Sequence, residues 1–226
     1  GSKSDTETVV FNVGLPYTVT LIAYPTSIPV AGYTSTLTTT VRDKYNNNVA
    51  NGTLVTFTTS LGQVGVGSTW VTKTTSSGIA TAILTSGNIA GPAVVTATSD
   101  SKVATTTVQF TPLLPYTLTL TAYPTTLTVE ASSRLTTTVK DQYNNNVANG
   151  TVVTFTTNLG SVGSTSVTKT TTTGVATATL TSQLPGTATI TATAGSKYGT
   201  TNVTFQPGLP YTLTLTAYPT TLTVEA

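Results

Sequence analysis

An eleven-residue phrase, DKYNNNVANGT at Asp43–Thr53, returns 98 positions later as DQYNNNVANGT at Asp141–Thr151, with ten residues unchanged. A near-copy at that distance restricts the chain to an array of similar units, each burying its own apolar face. Further anchors set the period. LPYTVTLIAYPT begins at Leu15, LPYTLTLTAYPT at Leu114 and again at Leu209, spacings of 99 and 95 residues. The difference of four falls in loops such as Gly62–Trp70 against Gly160–Ser166. Surface chain absorbs such changes without disturbing a core.

These anchors divide the chain into one unit at 15–113 and a second at 114–208. Thr6–Val13 (TETVVFNV) resembles the runs TTVQF and TNVTF that precede the later Leu-Pro-Tyr triplets. Residues 1–14 therefore read as the final strand of a preceding repeat behind a tag remnant at Gly1-Ser2. Residues 209–226 copy the opening of a unit and read as the first strand of a following one. Strands separated from their sandwiches offer unpaired edges, so the two ends predict head-to-tail self-association.

Period-2 alternation marks the strands. In Tyr116–Ala122 (YTLTLTA), Leu118 and Leu120 face one way and Thr117, Thr119 and Thr121 the other. Leu135–Val139, Val152–Thr156, Ser166–Thr170, Val175–Thr181, Thr187–Thr193 and Thr201–Phe205 follow, each stopped by Gly, Pro, Asn or Ser. No window carries helical spacing over three turns. About seven antiparallel strands per unit, wet on one face and apolar on the other, predict tandem all-β sandwiches, set end to end. Leu118, Leu120, Val139, Val153, Phe155, Leu180, Ile190, Val203 and Phe205 form the expected core of the second.

Composition fits that reading. Threonine supplies 61 of 226 residues. Its branched Cβ suits a strand and its hydroxyl suits water, so the sequence places it on outer faces. Charged residues make up 7%, against roughly 25% in ordinary globular chains. The nine Lys and Arg are scattered singly, which argues against a nucleic-acid partner, since phosphate tracking needs a basic stripe. No apolar run reaches the length of a membrane span, so no membrane contact is expected in this segment.

Catalytic machinery is hard to assemble from this composition. Histidine, cysteine and methionine are all absent, which removes the commonest general base and the commonest metal ligands. No catalytic, cofactor or metal residue is assigned, and no cofactor is called for. The repeated phrase reads as a corner instead. Asp43 and Asp141 close a strand and offer a carboxylate to turn amides. Asn51-Gly52 and Asn149-Gly150 are tight-turn signals opening the next strand. Gly174 marks a turn needing positive φ, and Tyr123-Pro124 interrupts the first strand. Lys73/Lys169 and Lys102/Lys197 recur in both units and read as solvent-facing, with Lys-Asn cross-linking as the other reading. Trp70 is the sole tryptophan. It is the candidate sugar contact, with Tyr17, Tyr24 and Tyr33 near it in sequence.

LTTTVKDQYNNNVANG (135–150), VTFTTNLG (153–160), GVATATLTS (174–182) and GTATITATAGS (186–196) fall in an order that resembles bacterial Ig-like domains of the intimin/invasin type. The shared pattern is a strand ending in Asp, a polar turn, Val before Gly, then Val-Thr-Phe, and later a Gly-x-Ala strand leading to Leu-Thr-Ser. Asn-Asn-Asn stands where that family often has Gly-Asn-Pro. The resemblance implies an extracellular, cell-surface or secreted bacterial protein. Its repeats would serve as a non-catalytic stalk beside adjacent repeats of the same chain, with any host-surface or polysaccharide ligand bound elsewhere in the full protein. The alternative is a carbohydrate-binding accessory module of a secreted enzyme or scaffold.

Overall fold

The computed structural model describes residues 3–216, 218 and 220–224. The tag reading at Gly1-Ser2 lies outside the described residues, as do Ala217, Pro219, Glu225 and Ala226 of the closing stretch. Among the described residues there is no helix, and sixteen strands build four sheets. The sheets make two tandem sandwich-like domains.

The first sandwich contains β1 (Thr18–Tyr24), β2 (Ser27–Pro29), β3 (Thr34–Arg42), β4 (Leu54–Thr59), β5 (Trp70–Thr74), β6 (Ile79–Thr85), β7 (Gly91–Ser99) and β8 (Lys102–Thr111). One sheet has the order β1-β3-β6, the other β2-β8-β7-β4-β5. The second contains β9 (Thr117–Tyr123), β10 (Thr126–Thr128), β11 (Ser132–Lys140), β12 (Val152–Thr157), β13 (Ser166–Thr170), β14 (Val175–Thr181), β15 (Gly186–Ala194) and β16 (Lys197–Gln206). Its sheets run β14-β11-β9 and β10-β16-β15-β12-β13.

Alternation sets which face is buried. Along β3, Ser35, Leu37, Thr39 and Val41 point inward; along β7, Ala93, Val95, Ala97 and Ser99 do. Phe57, Phe110, Leu37, Leu84 and Val55 are fully buried in the first core, and Phe155, Phe205, Leu135, Leu180 and Ile190 in the second. Each such side chain stabilises by about 1.5–3 kcal/mol through removal of apolar surface from water. Of the expected core residues, Leu118 alone is half-buried; the other eight are buried.

The eighth strand of each sandwich is the short one, β2 or β10. Each pairs parallel with the last strand, Ile28 opposite Phe110 and Leu127 opposite Phe205. The peptide bonds Tyr24-Pro25 and Tyr123-Pro124 are cis, and there the chain leaves the three-stranded sheet for the five-stranded one. Pro25 and Pro124 carbonyls accept from Ser35 Oγ and Ser133 Oγ, each at 2.7 Å.

Threonine is not confined to outer faces. Thr39, Thr75, Thr137 and Thr171 are buried. Thr39 and Thr137 lie on the inward face of β3 and β11, because strand parity and not side-chain polarity decides direction. Thr137 Oγ1 donates to the Ala176 carbonyl at 3.0 Å, whereas Thr39 Oγ1 has no hydrogen-bond partner among the described residues.

Residues 6–13, and residues 211–216 near the other end, form no strand. YTLTLT at Tyr211–Thr216 repeats the sequence of Tyr116–Thr121, whose counterpart forms β9. The difference is a partner: β9 lies against β11, whereas among the described residues 211–216 pair with no strand, and an unpaired stretch gains no ladder to offset its ordering entropy.

By contact density the chain divides into two compact units. One is Gly1–Thr117 with Val139–Thr151 and Thr171–Gly174; the other is Leu118–Thr138, Val152–Thr170 and Val175–Ala226.

Candidate functional site

The duplicated phrase folds into a polar corner. β3 ends at Arg42, and the next carboxylate is buried. Asp43 Oδ1 accepts from Tyr45 N and Asn47 N, both at 2.9 Å. Oδ2 accepts from Gly14 N at 3.0 Å and from Asn47 Nδ2 at 3.1 Å. Asn46, at φ 67, turns the chain between these amides. Val49 then drops into the core.

The second copy repeats this geometry. Asp141 Oδ1 accepts from Tyr143 N and Asn145 N at 2.9 Å, and Oδ2 from Leu113 N at 3.0 Å. Asn145 Nδ2 lies 3.0 Å from Oδ2. Within the first compact unit, Asn145 also accepts from Ala90 N at 3.0 Å and donates to the Asn88 carbonyl at 2.8 Å. Among the described residues the Asn47 side chain bonds to Asp43 alone.

Hydrogen bonding to the charged form holds both acids below their ordinary value. For Asp43 the main cause is the Gly14 amide, followed by burial, which opposes it, and then by the Asn47 and Tyr45 donors. For Asp141 burial works to raise the value, but the Asn145 side chain and the Leu113, Asn145 and Tyr143 amides outweigh it.

Asn51 and Asn149 reach further than a local turn. Asn51 Oδ1 accepts from Ser77 N at 2.6 Å, and Asn149 Oδ1 from Thr173 N at 2.7 Å. Gly52 and Gly150 stand at φ 88 and 85, and their amides donate to the Thr75 and Thr171 carbonyls. Gly174, at φ 77, packs so closely that an added Cβ would lie 2.8 Å from Asn146 Cβ. The corner thus joins the segment entering a repeat, the β3–β4 or β11–β12 turn and the following hairpin turn. Its chemistry is that of a structural tie: one carboxylate, saturated with amides, with no base beside it.

Trp70 begins β5 opposite Thr58 and is 60% exposed. Tyr17, Tyr24 and Tyr33 are exposed as well, and Lys102 Nζ sits 5.2 Å above the Tyr17 ring. A cleft of about 780 Å³ opens between the β5 and β6 edges, lined by Val64, Val66, Val71, Lys73 and Ile83 among others; Trp70 and the three tyrosines do not line it. Among the described residues no three His, Cys, Asp or Glu cluster as metal ligands would.

Two sandwiches, each with a switched first strand and a carboxylate corner, define a tandem Ig-like β-sandwich protein. Residues 16–113 match the family described as Invasin, domain 3, and residues 118–206 the family described as bacterial Ig-like domain (group 1). The chain is a tandem of bacterial Ig-like domains of the intimin/invasin type. Among solved structures, InvD of Yersinia pseudotuberculosis is 25% identical with a TM-score of 0.70, covering 88% of this chain and 60% of that one. The adhesin InvE of the same organism is 28% identical, TM-score 0.41, over 83% of this chain and 58% of its own. Invasin, described as a bacterial integrin-binding protein, is 26% identical, TM-score 0.45, over 85% and 40%. The chain therefore spans less than two thirds of each of these. No curated protein sequence matches.

Proposed function

We propose that this chain is a non-catalytic spacer in the stalk of a bacterial adhesin, exposed at the cell surface or secreted. The repeated tie carries the reading. In each copy a buried aspartate accepts from the amide of the residue leading into that repeat, Gly14 or Leu113, at 3.0 Å. A device that secures the entering chain twice over is expected of a unit whose task is to transmit position. Asp43, Asn51, Gly52, Asp141, Asn149 and Gly150 are its structural residues, with repeat boundaries at 15–113 and 114–208. The invasin-type domain matches support the adhesin setting, and receptor contact would then belong to another part of the full protein. The test is replacement. Exchanging 15–208 in the full-length protein for two unrelated sandwiches of equal length should preserve adhesion. Loss of adhesion with normal surface display would refute the spacer reading.

The accessory-module alternative has one observation in its favour, the exposure of Trp70. A polysaccharide pull-down that depends on Trp70, and fails in Trp70→Ala, would support it.

A further inference from the structure

The second sandwich has its own cleft, and its chemistry differs from that of the first. It holds about 550 Å³ and is lined by Tyr123, Ser132, Arg134, Lys169, Thr177 and Thr179, with buried Val162 at its wall. All of these belong to the second compact unit. The sheet registers explain the assembly. β11 and β14 set Arg134 opposite Thr179, and β13 carries Lys169 on the outermost strand of the other sheet, opposite Val153. Both sheets present an edge here, so side chains from β9, β11, β13 and β14 converge.

The charge distribution is the unusual part. The chain has only nine Lys and Arg in 226 residues, yet two line this one cleft and no carboxylate does. Among the described residues the side chains of Arg134 and Lys169 have no ion-pair or hydrogen-bond partner, whereas those of Arg42 and Lys140 are engaged by Asn46 and Asn144. Two unpaired cations in one concavity repel each other and favour an anion between them. The first sandwich supplies the contrast. There Thr36 replaces Arg134 and Ile83 replaces Thr179, and the cleft keeps the hydroxyls of Thr36, Thr81 and Thr85 but only one cation, Lys73, among Val64, Val66 and Val71. The fold therefore does not need the second cation.

We propose that the second cleft binds a carboxylated sugar residue. The Arg134 guanidinium presents the planar fork that matches a carboxylate, and Lys169 adds a point charge. Tyr123, 82% exposed, offers a ring face for the sugar. Ser132, Thr177 and Thr179 supply hydroxyls that donate to and accept from ring substituents. The volume lies in the range of small-ligand sites. A nucleic acid would need a continued basic track, and the remaining cations are dispersed along the sequence. An acidic peptide on the strand edges is the rival occupant. The inference does not rest on the spacer reading, which the replacement experiment tests separately.

The experiment is a calorimetric or NMR titration of the full 226-residue chain. The probes are trigalacturonate, a glucuronate-containing tetrasaccharide and sialyllactose, with maltotriose and lactose as neutral controls and hexaglutamate as the peptide arm. At least one acidic sugar should bind, more weakly as salt is raised. Arg134→Thr and Lys169→Thr should each weaken it at least tenfold, while Lys73→Thr and Trp70→Ala leave it unchanged. Arg134→Thr installs the residue found at that strand position in the first sandwich, and an unchanged melting curve would verify its fold. Failure of all three acidic sugars overturns the proposal. So does equal binding of neutral sugars, tighter binding of hexaglutamate, or a loss confined to Trp70→Ala.

Discussion

Replacing Gly78 with alanine should damage the first sandwich far more than replacing Gly52, although both glycines have positive φ. Gly78 stands at φ +75, and an added Cβ would lie 2.9 Å from both the Val41 carbonyl oxygen and Asn48 Cβ. Gly52 stands at φ +88 with nothing within 4 Å of the new atom. Holding alanine in the left-handed region costs about 1–2 kcal/mol at either site. Only Gly78 adds overlap, worth about 1–3 kcal/mol in a packed environment. Retreat is restricted, because Val41 N donates to the Gly78 carbonyl at 2.8 Å and moving one strand away loosens that bond. The totals are then about 1–2 kcal/mol for Gly52→Ala and about 2–5 kcal/mol for Gly78→Ala. With a urea dependence of about 1.5 kcal/mol per molar for a domain of this size, the midpoint should fall by about 1 M for Gly52→Ala and by about 1.3–3.3 M for Gly78→Ala. Trp70 is the only tryptophan, so its fluorescence follows the first sandwich alone. Equal midpoints for the two variants, or a larger loss at Gly52, would refute the close-approach argument. The second sandwich offers the same comparison by circular dichroism, with Gly174 at φ +77 facing Asn146 and Gly150 at φ +85 facing open space.

Four other outcomes are expected. Phe155→Ala, at a fully buried position, should cost about 3–5 kcal/mol, measured as the shift of the second sandwich's unfolding transition. Because both corner aspartates are held below the ordinary 3.8, their contribution is fully present above that value and is lost as pH falls through it toward the folded-state value. Urea midpoints should therefore drop on acidification, and Asp43→Asn and Asp141→Asn should each flatten that profile; unchanged slopes would contradict the assignment. Asn145→Ala should destabilise by about 1–2 kcal/mol more than Asn47→Ala, since it also forfeits the bonds to Ala90 and Asn88. Trp70→Ala should alter stability by less than about 0.5 kcal/mol, as an exposed side chain does, with a thermal melt as the check.

Most strands were legible because threonine and aliphatic residues alternate without interruption. Ser166–Thr170 and Val175–Thr181 have the same bounds in sequence and structure. The short strands β2 and β10 left no such signature. Three residues after a proline carry no period, and their partners lie 82 and 78 positions away, at Phe110 and Phe205. Buried Thr39 and Thr137 were misread because composition suggested that threonine faces water, whereas parity with Leu37 and Leu135 turned them inward. Asn51 and Asn149 were visible as turn formers through the glycine that follows each. Their reach to Ser77 and Thr173 was not, since no local pattern records which turn will pack beside them. The carboxylates of Asp43 and Asp141 were similarly read as serving their own turns. The bonds from Gly14 and Leu113, 29 and 28 positions earlier, depend on where the entering chain passes.

Sequence alone determined the repeat, its period and the sandwich class, because periodicity and duplication are one-dimensional properties that survive without coordinates. The tertiary structure decided which edges meet. Arg134 and Lys169 are 35 residues apart and unremarkable in the sequence. They face one cleft because β11 and β13 lie in different sheets whose free edges close on each other, and that pairing follows from packing two twisted sheets around a shared core.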